Sequence, residues 1–151
     1  MEIFKVAVAV DGRNIEVVLK AGVLATVETG SHENKVESPK NKISVIVGEG
    51  NQGLAAWVQV AAFDSSKTLQ ITHEGWVVEG DGSVGALSSN SSTFASLSRI
   101  SAPTAEMLKC QDDSEFGAFA CCTAYGNGCY VRCCNSCCSD PYRCPGASCC
   151  G

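Results

Sequence analysis

Hydrophobic positions along the first hundred residues recur at every second place. Phe4, Val6, Val8 and Val10 alternate with Lys5, Ala7 and Ala9, and Ile15, Val17 and Leu19 alternate with Glu16 and Lys20, the two-residue period of a strand with one face turned inward. Asp11-Gly12 lies between these runs, so residues 2–10 and 14–20 read as a hairpin. A third strand is expected over 23–28, after Gly22. Residues 29–42, TGSHENKVESPKNK, are polar and turn-rich and read as an exposed loop. Alternation resumes at Ile43, Val45 and Val47, is interrupted at Gly48–Gly53, and returns over 55–63 and 68–74 around the turn Asp64-Ser65-Ser66-Lys67. Shorter strands are expected at 76–78, 84–87 and 94–100.

Short strands separated by turns, with no long helical period, predict an all-β fold: an antiparallel β-sandwich or jelly-roll-like body over residues 1–100. Its expected core is Phe4, Val6, Val8, Ile15, Val17, Leu19, Ile43, Val45, Val47, Val58, Val60, Leu69, Ile71 and Val77. At about 1.5–3 kcal/mol for each fully buried side chain, this set supports an independent domain. Trp57 and Trp76 read as core or sheet-face anchors. Residues 101–120 form a linker, with a short helical turn or two expected from Ser101 to Lys109 and a solvated acidic run at Asp112, Asp113 and Glu115.

The last thirty-one residues differ in kind, since they hold ten of the eleven cysteines. They divide into two fourteen-residue blocks, CCTAYGNGCYVRCC (121–134) and CCSDPYRCPGASCC (137–150), each opening and closing with Cys-Cys and repeating with a sixteen-residue period. Residues 121–151 are thus a tandem cysteine-rich module, small enough to need a staple. Cys110, Cys121, Cys122, Cys129, Cys133, Cys134, Cys137, Cys138, Cys144, Cys149 and Cys150 are the disulfide candidates. No histidine occurs in 110–151, and no two clean CxxC units are separated by a longer stretch, so disulfides are favoured over a zinc or thiolate-cluster site. Vicinal cysteines rarely bond to each other, which makes each Cys-Cys a junction to separate partners. Five cysteines per block oblige the blocks to bond to one another, to Cys110 or to another molecule, and the odd total leaves a free thiol or an intermolecular bond.

CCSDPYRC at 137–144 resembles the opening of the alpha-conotoxins, and YGNGC at 125–129 is similar to the YGNG box of pediocin-like bacteriocins. Both runs consist of turn formers between cysteines, and neither transfers a function.

Charge narrows the partners. A net charge of −5 with scattered basic residues argues against nucleic acid and against anionic membranes, and no apolar stretch reaches the roughly eighteen residues of a span. His32 reads as a surface residue in the 29–42 loop, and His73 as a core or edge residue on the face of Leu69 and Ile71. Glu79 and Asp81 read as hairpin chemistry, and Gly48–Gly53 lacks the Lys-Ser/Thr of a phosphate loop. Asn90-Ser91-Ser92 is a glycosylation sequon that matters only in a secretory lumen. No catalytic, metal or cofactor set emerges, so no enzyme and no cofactor is expected.

Residues Met1 to Lys5 lack a basic secretory leader and the following apolar run, Val6 to Val10, is short, whereas the cysteine density calls for an oxidising destination. The expectation is an extracellular, cell-surface or spore-surface protein reaching its place without a recognisable signal peptide, or a cytoplasmic one if the tail is reduced or metallated. The general layout is similar to that of bacterial endospore appendage subunits, which join a β-sandwich body to a cysteine-bearing terminal connector; theirs is N-terminal, and here the cysteines are C-terminal. This resemblance and the odd cysteine total imply a self-assembling structural protein, a filament, coat or sheath subunit whose partners are copies of itself. The alternatives are a precursor of a C-terminal cysteine-rich bioactive peptide and a thiolate metal-binding protein.

Overall fold

A computed structural model of the chain describes residues 2–10, 13–50, 53–62, 65–71, 75–78, 93–102, 121–126 and 128–136. Ten strands are formed by them: β1 (Ile3–Val10), β2 (Arg13–Lys20), β3 (Ala25–Glu33), β4 (Val36–Gly50), β5 (Gly53–Ala62), β6 (Ser65–Ile71), β7 (Gly75–Val78), β8 (Thr93–Arg99), β9 (Cys121–Gly126) and β10 (Cys129–Cys134). Every pairing is antiparallel, and the strands form a four-stranded sheet, β2-β1-β8-β7, and a six-stranded sheet, β6-β5-β4-β3-β10-β9. No helix occurs among the described residues.

The alternation that defines the strands also defines the core. Phe4, Val6 and Val8 of β1 pair in register with Leu19, Val17 and Ile15 of β2, and all six are buried. They join Ile43, Val45 and Val47 of β4, Val58 and Val60 of β5, and Ala95 and Leu97 of β8 in one hydrophobic cluster drawn from both sheets. Val18, on the other face of β2, makes a small second cluster with Ile3 and Ile100. Leu69, Ile71 and Val77 belong to side chains outside the described set, as do the 84–87 strand, the 103–120 part of the linker, His73 and the sequon.

Two expectations are corrected. The stretch 29–42 is not a loop but the distal part of a hairpin, with β3 running to Glu33 and β4 beginning at Val36. Asn34 and Lys35 connect them with φ of 54° and 64°, the pair of positive values that a two-residue type I′ connection requires. Apolar alternation is absent here because residues 36–40 are exposed on both faces. Likewise, Gly48 does not end its strand: β4 continues to Gly50 and pairs through Gly50–Gly53 with β5.

The register of β3 on β4 shifts between Thr29 and Gly30, so that Gly30 lies opposite Pro39. A side chain at Gly30 would meet the Ser38 carbonyl oxygen at 2.2 Å and the Pro39 Cα at 2.9 Å, contacts that only backbone movement relieves. We expect Gly30→Ala to destabilise the protein by about 1–3 kcal/mol, the usual cost of overpacking. Lys35→Gly, which removes a left-handed L-residue from the turn, is expected to stabilise by roughly 0.5–1 kcal/mol. Urea denaturation midpoints check both, and equal midpoints for the two variants would refute this account of the hairpin.

Candidate functional site

The first cysteine block is a hairpin, and its spacing is the arithmetic of one. Gly126 pairs with Cys129 across an Asn-Gly connection, and counting outward places Tyr125 opposite Tyr130, Cys122 opposite Cys133 and Cys121 opposite Cys134. Asn-Gly is the strongest short hairpin signal, and Gly128 takes the positive φ of 80°. The opening Cys-Cys therefore folds back on the closing Cys-Cys of the same block. Cys121 is bonded to Cys134 and not to its chain neighbour. Cys129 and Cys133 are disulfide-bonded as well. Cys110, Cys137, Cys138, Cys144, Cys149 and Cys150 lie outside the described residues.

This hairpin continues the body's sheet. β10 pairs with β3 from Cys129 opposite Ser31 to Cys134 opposite Thr26. Alternation then sends Val131 and Cys133 into the main core, both fully buried, with Ala124 packed against it. Two contacts fix the ends: the His32 backbone N–H donates to the Gly128 carbonyl at 2.6 Å, and Asn135 Nδ2 donates to the Leu24 carbonyl at 3.1 Å. Asn135 has φ 59°, a left-handed conformation Asn tolerates, and there the chain leaves the sheet.

On the outer face of the same strands lies an aromatic and carboxylate cluster. Tyr125, Tyr130, Gly30 and Pro39 follow one another across β9, β10, β3 and β4 in register, with His32 opposite Glu37 at the next outer-face position. Tyr130 is fully buried, and its hydroxyl donates to Glu28 Oε1 at 2.8 Å. Tyr125 is half exposed, and its hydroxyl donates to Glu37. The ring centroids of Tyr125 and Tyr130 are 6.3 Å apart, and His32 lies 4.6 Å from Tyr125. His32 is thus half-buried against an aromatic ring and not on an open loop; its Nδ1 is shielded, without a hydrogen-bond partner among the described residues.

No family model, curated protein or solved structure matches the chain. What the site does must therefore be read from its own chemistry. Among the described residues no group of three or more His, Cys, Asp or Glu is placed to hold a metal ion, and no helix is long and apolar enough to cross a membrane. Glu28 sits between Arg132 and Lys42 in register, an arrangement of opposite charges that favours the pairing. Both phenols are held protonated: burial and then the Glu28 carboxylate push the Tyr130 hydroxyl well above the ordinary tyrosine range, and the bond to Glu37 raises that of Tyr125.

A raised tyrosine pKa sets the sign of a pH dependence. The unfolded chain's phenols ionise near pH 10, and the folded protein binds more protons above that point, so the stabilisation is full below about pH 10 and is lost as pH rises further. We expect stability to fall on the alkaline side, with two of the three tyrosines, Tyr125 and Tyr130, giving phenolate absorbance above the ordinary tyrosine range and Tyr130 the more strongly displaced. Tyr130→Phe is expected to cost about 1–2 kcal/mol by stripping a buried donor from a carboxylate. Ultraviolet titration of native protein showing all three phenols ionising near pH 10 would refute the arrangement.

Proposed function

We propose that the chain is a self-assembling structural subunit whose two sheets form a β-sandwich body and whose cysteine-rich segment cross-links or stiffens the assembly. The observation that carries this reading is the position of the first block: a disulfide-braced hairpin that extends the body's large sheet and makes β9 its outermost described strand. The β9 sequence, CCTAYG, has no charged residue and no proline, the devices by which sheet edges avoid pairing with other chains. Cysteines are thereby concentrated at an edge where a second chain meets the sheet. Eleven cysteines cannot all pair within one chain, which favours bonds between chains at an extracellular, cell or spore surface.

The burial of Tyr130, Val131 and Cys133 favours this reading over a bioactive peptide released from residues 121–151. Release would strip a central strand from the sheet, uncover the β3 edge and expose those three side chains.

Sedimentation and electrophoresis with and without thiol reductant test the proposal. We expect oligomers or polymers that revert to monomer on reduction. A monomer under oxidising conditions, with every disulfide internal, would overturn it. Thr123→Asp places a charge on the edge opposite Arg132, where the fold accommodates it, and is expected to weaken association without lowering stability. Replacing Cys121 and Cys134 together by serine removes a bond closing a 13-residue separation and is expected to cost about 2–3 kcal/mol, read as a lower denaturation midpoint.

A further inference from the structure

We propose that Tyr125 is an oxidative coupling site, through which two copies of the chain are joined by a dityrosine bond; the inference rests on the assembly reading above. Three observations single out this residue. The residue is 51% exposed on the outermost described strand of the large sheet. Its hydroxyl donates to the Glu37 carboxylate, which gives the proton a destination at the moment an electron leaves. Behind it, Tyr130 lies 6.3 Å away by ring centroid, fully buried and bonded to Glu28. Tyr130 exchanges an electron with Tyr125 but does not reach another chain, so a radical formed on the pair makes its new bond at Tyr125.

The disulfide-bonded cysteines around Tyr125 do not compete. A thiol beside a phenoxyl radical would donate a hydrogen atom and quench it. Cys121, Cys129, Cys133 and Cys134 are all disulfide-bonded. His32 lies against one part of the ring, at 4.6 Å and tilted by 49°, and the exposed part of Tyr125 is open to a second phenol.

The oxidant is a peroxidase-type haem supplied with hydrogen peroxide. Each of two Tyr125 phenols gives one electron to the oxidant and its proton to Glu37, which passes it to water. The two phenoxyl radicals join through ring carbons beside the hydroxyls, and the hydrogens at the new carbon–carbon bond return to the oxygens as the rings regain aromaticity. One hydrogen peroxide is reduced to two waters for each dityrosine. A phenol is protonated at neutral pH, so the reaction proceeds from the phenol hydrogen-bonded to Glu37 and not from a phenolate.

The test uses the full chain, disulfides intact, with a haem peroxidase and limiting hydrogen peroxide. Dityrosine fluorescence and peptide mass mapping after reduction are the readouts. We expect a reduction-resistant dimer whose cross-linked peptides both contain Tyr125. Tyr125→Phe should abolish it, and Glu37→Gln should slow it several-fold while the residue stays exposed. A cross-link mapped to Tyr142, or an unchanged yield in Tyr125→Phe, overturns the proposal. If sedimentation shows the untreated protein to be monomeric, the assembly reading fails separately. The same reaction with excess N-acetyltyrosinamide then reports the site alone: an adduct on Tyr125 supports its selection, and an adduct on Tyr142 instead, or none, overturns it.

Discussion

The pairing of β10 with β3 is the interaction on which the rest of the arrangement depends. β10 has a hydrogen-bonded neighbour on each side, β3 and β9, so its backbone groups are satisfied within the sheet, as buried peptide groups must be. One face of the strand gives Val131 and Cys133 to the common core, and the other gives Tyr130 to the cluster with Glu28. Remove that pairing and β9 has nothing to add to, the two tyrosines lose their carboxylate acceptors, and the β3 edge lies open. The cysteine block is thus held by the same forces that hold the body, burial and strand pairing, before any disulfide is counted.

The alternation of β1, β2, β4 and β5 was legible because the apolar run of each strand turns one face into the common core, while Lys5, Glu16, Ser44 and Gln59 on their other faces are only half-buried or exposed. It failed at 29–42 for the converse reason. Where both faces of a strand meet solvent, no period survives, and an Asn-Lys turn lacks the glycine that would have announced it. Within the first block, the placement of Cys121 opposite Cys134 and of Cys122 opposite Cys133 follows from counting outward from Asn-Gly, so the local hairpin was readable from spacing. Its docking on β3 was not. Tyr130 and Glu28 are 102 residues apart, and Tyr125 and Glu37 are 88 apart, and no local pattern encodes contacts at that range. The polar cluster was hidden for the same reason: His32, Glu37 and the tyrosines look like ordinary surface residues until the register brings them together.

Acidic composition and an uncharged outermost described strand act in opposite directions on self-association. A net charge of −5 opposes the approach of two copies, and the repulsion is screened over about 8–10 Å at physiological salt. β9 answers this locally by carrying no charge of its own, while Arg132 beside it offsets nearby carboxylates. Under the proposed assembly, association through this edge would be governed by short-range strand pairing, with the long-range field setting only how fast copies meet.

The position of the Cys121–Cys134 bond bears on what kind of connector such a hairpin makes. It lies at the end where the chain enters β9 and leaves β10, opposite the turn. Tension applied between the residues before 121 and those after 134 therefore crosses the sulfur bridge and does not reach the hairpin hydrogen bonds beyond it. Had the bond been near the turn, the same pull would unzip the strands one pair at a time, each pair resisting weakly. A covalent bridge at the mouth keeps β9 and β10 paired under load. In the proposed assembly, a subunit joined to its neighbours through its cysteine-rich segment would pass force along the chain while β9 and β10 keep their pairing.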